Sequence, residues 1–145
     1  MGEATIRNLV MYNQLWMELD DLYSDYAKSS GLPKCAFWIF YTLYESKDIY
    51  TQKDLSEKWS LSRQTVNSAL KKLESEGLVR LVPLPGQKKN KQLVLTEEGD
   101  VFAQKVIIPI IEAEKNAFGG LGNEEQKMLL CLTQKYLRRL QAEIN

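Results

Sequence analysis

Histidine is absent from this 145-residue chain. That removes the commonest general base near neutral pH and the commonest zinc ligand. Cysteine is scarce: Cys35 and Cys131 are too isolated to build a metal knuckle. No Gly-rich phosphate loop or nucleophile elbow occurs, and Gly119-Gly120-Leu121-Gly122 reads as an interhelical turn rather than a nucleotide cradle. With no metal site, no cofactor and no catalytic constellation in view, an enzyme is not expected. Long apolar runs are also missing. The longest, Cys35 to Tyr41, is far too short to span a bilayer, and Glu3, Glu18, Asp20 and Asp21 spoil any secretory signal. The expected setting is the cytoplasm, away from membranes. Low-complexity segments and internal repeats are lacking, so residues 1–145 are expected to form a single domain.

Local signals are dense between Thr51 and Thr96. Thr51-Gln52-Lys53-Asp54 is a capping-box pattern that opens a helix running to Trp59 with Leu55 facing inward. Ser60-Leu61-Ser62 has the length of a turn joining two helices at a steep angle, and Ser62 is a good N-cap for a second helix from Arg63. Val66, Ala69, Leu70 and Leu73 recur three and four apart and so share one face, before Gly77 supplies a left-handed end. The other face carries Arg63, Gln64, Thr65, Asn67, Ser68, Lys71 and Lys72, a poor face for packing and a suitable one for a DNA groove. Gln and Asn pair with adenine and Arg with guanine through two hydrogen bonds each, whereas Lys at a helix flank more often meets phosphate. Two strands then follow, Leu78 to Val82 and Gln92 to Leu95, around a Pro- and Gly-punctuated loop whose tip holds Lys88, Lys89 and Lys91.

Total charge is uninformative, because 19 Lys and Arg balance 19 Asp and Glu. Its distribution is not. Tyr50 to Leu95 holds nine basic and four acidic residues, leaving the segment at +5 and the remainder at −5. A basic footprint is thus concentrated on one module while the acidic flanks disfavour indiscriminate adhesion to phosphate.

The order of elements resembles the MarR-type winged helix-turn-helix transcriptional regulators. The resemblance rests on Leu32-Pro33 opening an apolar helix, the Thr51 to Trp59 helix, Leu73-Glu74-Ser75-Glu76-Gly77-Leu78-Val79, and Leu95-Thr96-Glu97-Glu98-Gly99 after the wing. Where many relatives carry Asp-x-Arg in the wing, this chain has Gln87-Lys88-Lys89-Asn90-Lys91, so that ion pair cannot form and Lys88 or Lys89 must substitute for a minor-groove arginine. The implied architecture is mainly α with a small β-wing: residues 32–95 form the winged-helix DNA-binding core, and helices in 1–30 and 96–145 form a dimerisation region.

Outside the core, a helix over about Thr5 to Lys28 is apolar on two sides and Gly31 marks its end. Pro33 suits the first turn of a second helix, whose near-continuous apolarity implies burial all round. Thr96 caps a helix reaching about Phe118 that Pro109 should kink, and Asn123 with Gln126 gives a capping-box pattern for a last, amphipathic helix. Helix-turn-helix readers commonly set two recognition helices one DNA turn apart, which favours a homodimer on a pseudo-palindromic operator, and the resemblance implies the same.

The expected function is sequence-specific binding of double-stranded DNA by a transcription regulator, a repressor by preference. Ser62, Arg63, Gln64, Thr65, Asn67, Ser68, Lys71 and Lys72 line its recognition helix, and Lys88, Lys89 and Lys91 its wing. Relatives often bind aromatic or lipophilic effectors, for which Tyr12, Trp16, Phe37, Trp38 and Tyr41 are the candidate pocket residues, although core packing explains the same aromatics. Cys35, beside Lys34 at a helix start, is a candidate redox switch through a lowered pKa; a buried structural role is the competing one. The alternative from another class is a winged helix that meets a protein instead of DNA.

Overall fold

A computed structural model describes residues 2–46, 50–87 and 89–145. In chain order the elements are α1 (Glu3–Ser29), α2 (Lys34–Glu45), α3 (Gln52–Trp59), α4 (Arg63–Ser75), β1 (Val79–Pro83), β2 (Lys91–Leu95), α5 (Glu97–Gly119) and α6 (Gly122–Ile144). Six helices and one two-stranded antiparallel ribbon match the mainly helical winged architecture expected. The chain divides into two compact units, Met1–Gln104 and Lys105–Asn145.

In the first unit the core is built from apolar residues of α2, α3 and α4, and on α4 the helical period places them on one face. Phe37, Ile39 and Phe40 of α2, Leu55 of α3, and Val66 and Leu73 of α4 are fully buried. Burial of α2 is not all round: Cys35, Trp38 and Tyr41 remain half-exposed, and Pro33 is the N-cap rather than a first-turn residue. The ribbon pairs Val79 with Leu95, Leu81 with Leu93 and Pro83 with Lys91. It is fastened to the start of α3, because the Leu93 amide donates to the Tyr50 carbonyl at 2.9 Å. On α1, Ile6, Leu9, Val10, Leu15, Leu19 and Leu22 are all exposed.

The second unit holds most of α5 and all of α6. Pro109 lies inside α5, which runs unbroken to Gly119. The start of α6 departs from the expected capping box: the helix begins at Gly122, and no side chain caps it. The Gln126 amide instead donates to the Phe118 carbonyl at 2.9 Å, which also accepts from the Leu121 amide at 3.1 Å. Along α6, Met128, Leu129, Leu132, Tyr136 and Leu140 are exposed.

Candidate nucleic-acid interface

Two local caps aim the helices of the motif. Thr51 Oγ1 accepts from the Asp54 amide at 3.2 Å, and the Asp54 carboxylate accepts from the Thr51 amide at 3.0 Å, completing the capping box of α3. Ser62 Oγ accepts from the Thr65 amide at 3.1 Å at the start of α4. Between them Ser60 takes the left-handed conformation at φ 50°, and the Ser56 hydroxyl donates to the Leu61 carbonyl at 2.6 Å. That bond fixes the turn that sets α4 against α3. Gln52 Nε2 reaches the Arg63 carbonyl at 3.4 Å.

The polar face of α4 stands clear of the core. Arg63, Gln64, Thr65, Ser68 and Lys71 are exposed, Asn67 and Lys72 half-buried, while Val66, Ala69, Leu70 and Leu73 point inward. Not every member is equally available. The Ser62 and Thr65 hydroxyls lie 2.8 Å apart and satisfy each other, and Lys72 Nζ pairs with Glu76 at 2.8 Å. Among the described residues Arg63, Lys71, Lys89 and Lys91 carry no ion pair, so their charge is uncompensated. Lys88 lies outside the described residues.

A feature not read from the sequence is a cleft of about 460 Å³ where the wing meets the start of α3, lined by Thr51, Gln52, Lys53, Leu81, Lys89 and Lys91 among others. It brings two wing lysines beside Lys53, which sequence reasoning left out of the site. The Asp54 carboxylate also lines the cleft, but is committed to the Thr51 amide. The nonlocal Tyr50–Leu93 hydrogen bond helps bring these segments together, and no short-range signal could have found the cleft.

The candidate effector aromatics pack mainly on one another. Phe37 is fully buried and meets Trp38 and Tyr41 at 5.5 and 6.3 Å between ring centroids. Trp38 also meets Tyr23 and Trp59 at 4.8 and 5.7 Å, neither of which had been singled out. Tyr12 stacks edge-on against Trp16, which is 51% exposed. The wing cleft is lined by none of the five candidates.

For Cys35 the direction of the pKa shift favours the buried structural role over the switch. Burial pushes its thiol above the usual cysteine value, opposite to the lowering expected from the α2 dipole and Lys34. The Lys34 ammonium is engaged by Asp20 of α1. Burial disfavours the thiolate, which is the oxidisable form. Cys35 in the native protein should therefore react with an aromatic disulfide reagent at pH 7 more slowly than free cysteine. A rate at or above that of free cysteine, measured on a Cys131→Ser background, would restore the thiol switch.

Residues 30–89 match the family model described as MarR family. Over 130 residues the chain is 26% identical to the HTH-type transcriptional regulator YybA of Bacillus subtilis (strain 168), covering 86% of this chain and 83% of that protein. It is 22% identical to the HTH-type transcriptional regulator PrsX of Escherichia coli, over 84% of this chain and 74% of the relative. The fold is similar to that of NMB1585, a MarR family regulator from Neisseria meningitidis, with a TM-score of 0.75, 23% identity and coverage of 94% and 96% of the two chains. It is also similar to MepR from S. aureus in its complex with DNA, with a TM-score of 0.71, 19% identity and coverage of 90% and 96%. The family match spans the helix-turn-helix and most of the wing. Residues 30–89 thus carry a MarR-family match, and along most of its length the chain is similar to HTH-type transcriptional regulators and to MarR-family folds.

Proposed function

We propose that this protein is a sequence-specific, double-stranded DNA-binding transcription regulator that acts as a homodimer on a pseudo-palindromic operator. The observation that carries this reading is the uncovered polar face of α4, with exposed Arg63, Gln64, Ser68 and Lys71 and a wing bearing unpaired Lys89 and Lys91. Arg63, Gln64, Asn67 and Ser68 read base edges; Lys71, Lys72 and the wing lysines hold the backbone or minor groove. The similarity to MepR, whose DNA complex is known, supports the same assignment.

Exposed aliphatic side chains along α1, and separately along α6, are surfaces that a second copy would cover. Release from DNA by a small aromatic or lipophilic effector, and repression as the regulatory sign, belong to the same proposal. A cytoplasmic setting fits, since among the described residues no helix is long and apolar enough to cross a membrane.

Selection of bound sequences from a random duplex pool tests the assignment. The expected product is an inverted repeat with half-site centres about 10 base pairs apart, or a multiple of that turn. A pool that enriches no sequence would defeat the DNA reading, and sedimentation showing only a 16.7 kDa species at micromolar concentration would defeat the dimer.

A further inference from the structure

The turn that leaves α4 is tied to the start of α5 by one hydroxyl. Gly77, at φ 72°, turns the chain out of the helix, and the Leu78 amide returns to the Leu73 carbonyl at 3.0 Å. The next two carbonyls, Gly77 and Leu78, are both taken by Thr96: its hydroxyl donates to Gly77, and its amide donates to Leu78 at 3.1 Å. The same Thr96 oxygen accepts from the Gly99 amide at 2.9 Å, capping α5. One side-chain oxygen therefore joins the turn after α4 to the first turn of α5.

We infer that Thr96 is a positioning residue for DNA reading, its hydroxyl fixing the orientation of α4 through the Gly77 carbonyl. The inference rests on the DNA-binding function proposed above. Geometry gives it leverage. A 13-residue helix is about 20 Å long, so a tilt of roughly 3° at the Thr96 end displaces Arg63 and Gln64 by about 1 Å. Base-edge hydrogen bonds are confined to a range of roughly 0.5 Å, so such a displacement removes discrimination between bases. At its other end α4 is steadied by the Ser56 hydroxyl bond to Leu61 and the long contact from Gln52. The Thr96 tie constrains the C-terminal end, where burial of Leu70 and Leu73 also seats the helix on the core. Thr96 is not a member of the polar face; its hydroxyl acts on α4 through the Gly77 carbonyl, beside the amide bond to Leu78.

Two substitutions separate the two jobs of the hydroxyl. Thr96→Ser keeps both bonds. Thr96→Asp keeps an N-cap acceptor for the Gly99 amide, but its carboxylate has no proton to donate to Gly77.

In the full-length protein without DNA, Thr96→Asp should raise amide exchange several-fold at Glu76, Gly77 and Leu78 while the first-turn amides of α5 stay protected; Thr96→Ser should match the native protein. With DNA, native discrimination against a single mismatched base pair is expected to be about 5- to 150-fold, and Thr96→Asp should cut that ratio by at least about fivefold. Thr96→Ser should restore it.

The inference is overturned if exchange at Gly77 and Leu78 is unchanged in Thr96→Asp, if exchange rises while discrimination holds, or if Thr96→Ser fails as badly as Thr96→Asp. Failure of the native protein itself to select any sequence would instead refute the DNA-binding function, and the exchange data would still decide whether the hydroxyl holds α4.

Discussion

Replacing Gly99 with alanine is expected to cost about 3 kcal/mol or more of folding stability, among the larger effects a single methyl can have. Gly99 is buried in the first turn of α5 with its α-carbon against the end of α4. A methyl there would run into the Leu78 carbonyl oxygen, with the Leu78 carbonyl carbon at 3.2 Å and Leu95 Cβ at 3.4 Å. The obstacle is backbone, and that carbonyl already accepts from the Thr96 amide, so it cannot swing aside without breaking the tie.

Gly119 is the matched control. It lies in the same helix, has no heavy atom within 4 Å of its would-be Cβ, and should gain about 0.4–1 kcal/mol on conversion to alanine. Urea midpoints of the two variants check this. Equal midpoints would show that the close approach at Leu78 relaxes at no cost.

The second large effect is on salt dependence. The proposed homodimer, presenting Lys71, Lys89 and Lys91 twice, would make about six phosphate contacts from these side chains alone. Proteins with roughly six to ten such contacts lose about 10³–10⁵ in affinity between 50 and 200 mM salt. Replacing Lys89 and Lys91 by alanine together should reduce the slope of log affinity against log salt by about four, one for each lost cation in the dimer. Gln64→Ala should leave the slope alone and cost roughly 1–3 kcal/mol at the matched operator. Titrations at four salt concentrations separate the two classes. A slope near zero would favour the protein-interaction alternative, and a Gln64→Ala variant that weakens every sequence alike would overturn the division between base readers and backbone holders.

What could be read without coordinates was what short-range chemistry determines. Thr51, Ser62 and Gly77 each solve a helix-end problem with residues three or four positions away, so α3, the turn and α4 are legible from the chain. The same logic misread the start of α6. Asn123 and Gln126 have capping-box spacing, yet Gln126 turns back to the Phe118 carbonyl in the last turn of the preceding helix, eight residues away.

Cys35 illustrates a second limit. Its neighbour Lys34 and the helix start argue for an acidic thiol, but Asp20, 14 residues away in sequence, claims the ammonium, and burial determines the direction of the shift. The wing cleft lay beyond reach for a third reason. Its two walls come from segments about 40 residues apart, joined by a backbone hydrogen bond that leaves no trace in side-chain pattern. The candidate DNA-contacting residues on α4 were legible because helical period alone separates them from Val66, Ala69, Leu70 and Leu73.

The bond between the Leu93 amide and the Tyr50 carbonyl has a bearing on colloidal behaviour as well. A lone two-stranded ribbon is a template for recruiting further strands, and proteins blunt such margins with prolines, charges or a covering segment. Here all three are present: the Tyr50 carbonyl occupies the outer margin of β2, Pro83 contributes no amide to β1, and Arg80 sets an exposed cation in the middle of that strand. Copies of this protein are thereby discouraged from adding strand to strand into fibrils, and self-association is left to helical surfaces, which cannot propagate a cross-β repeat.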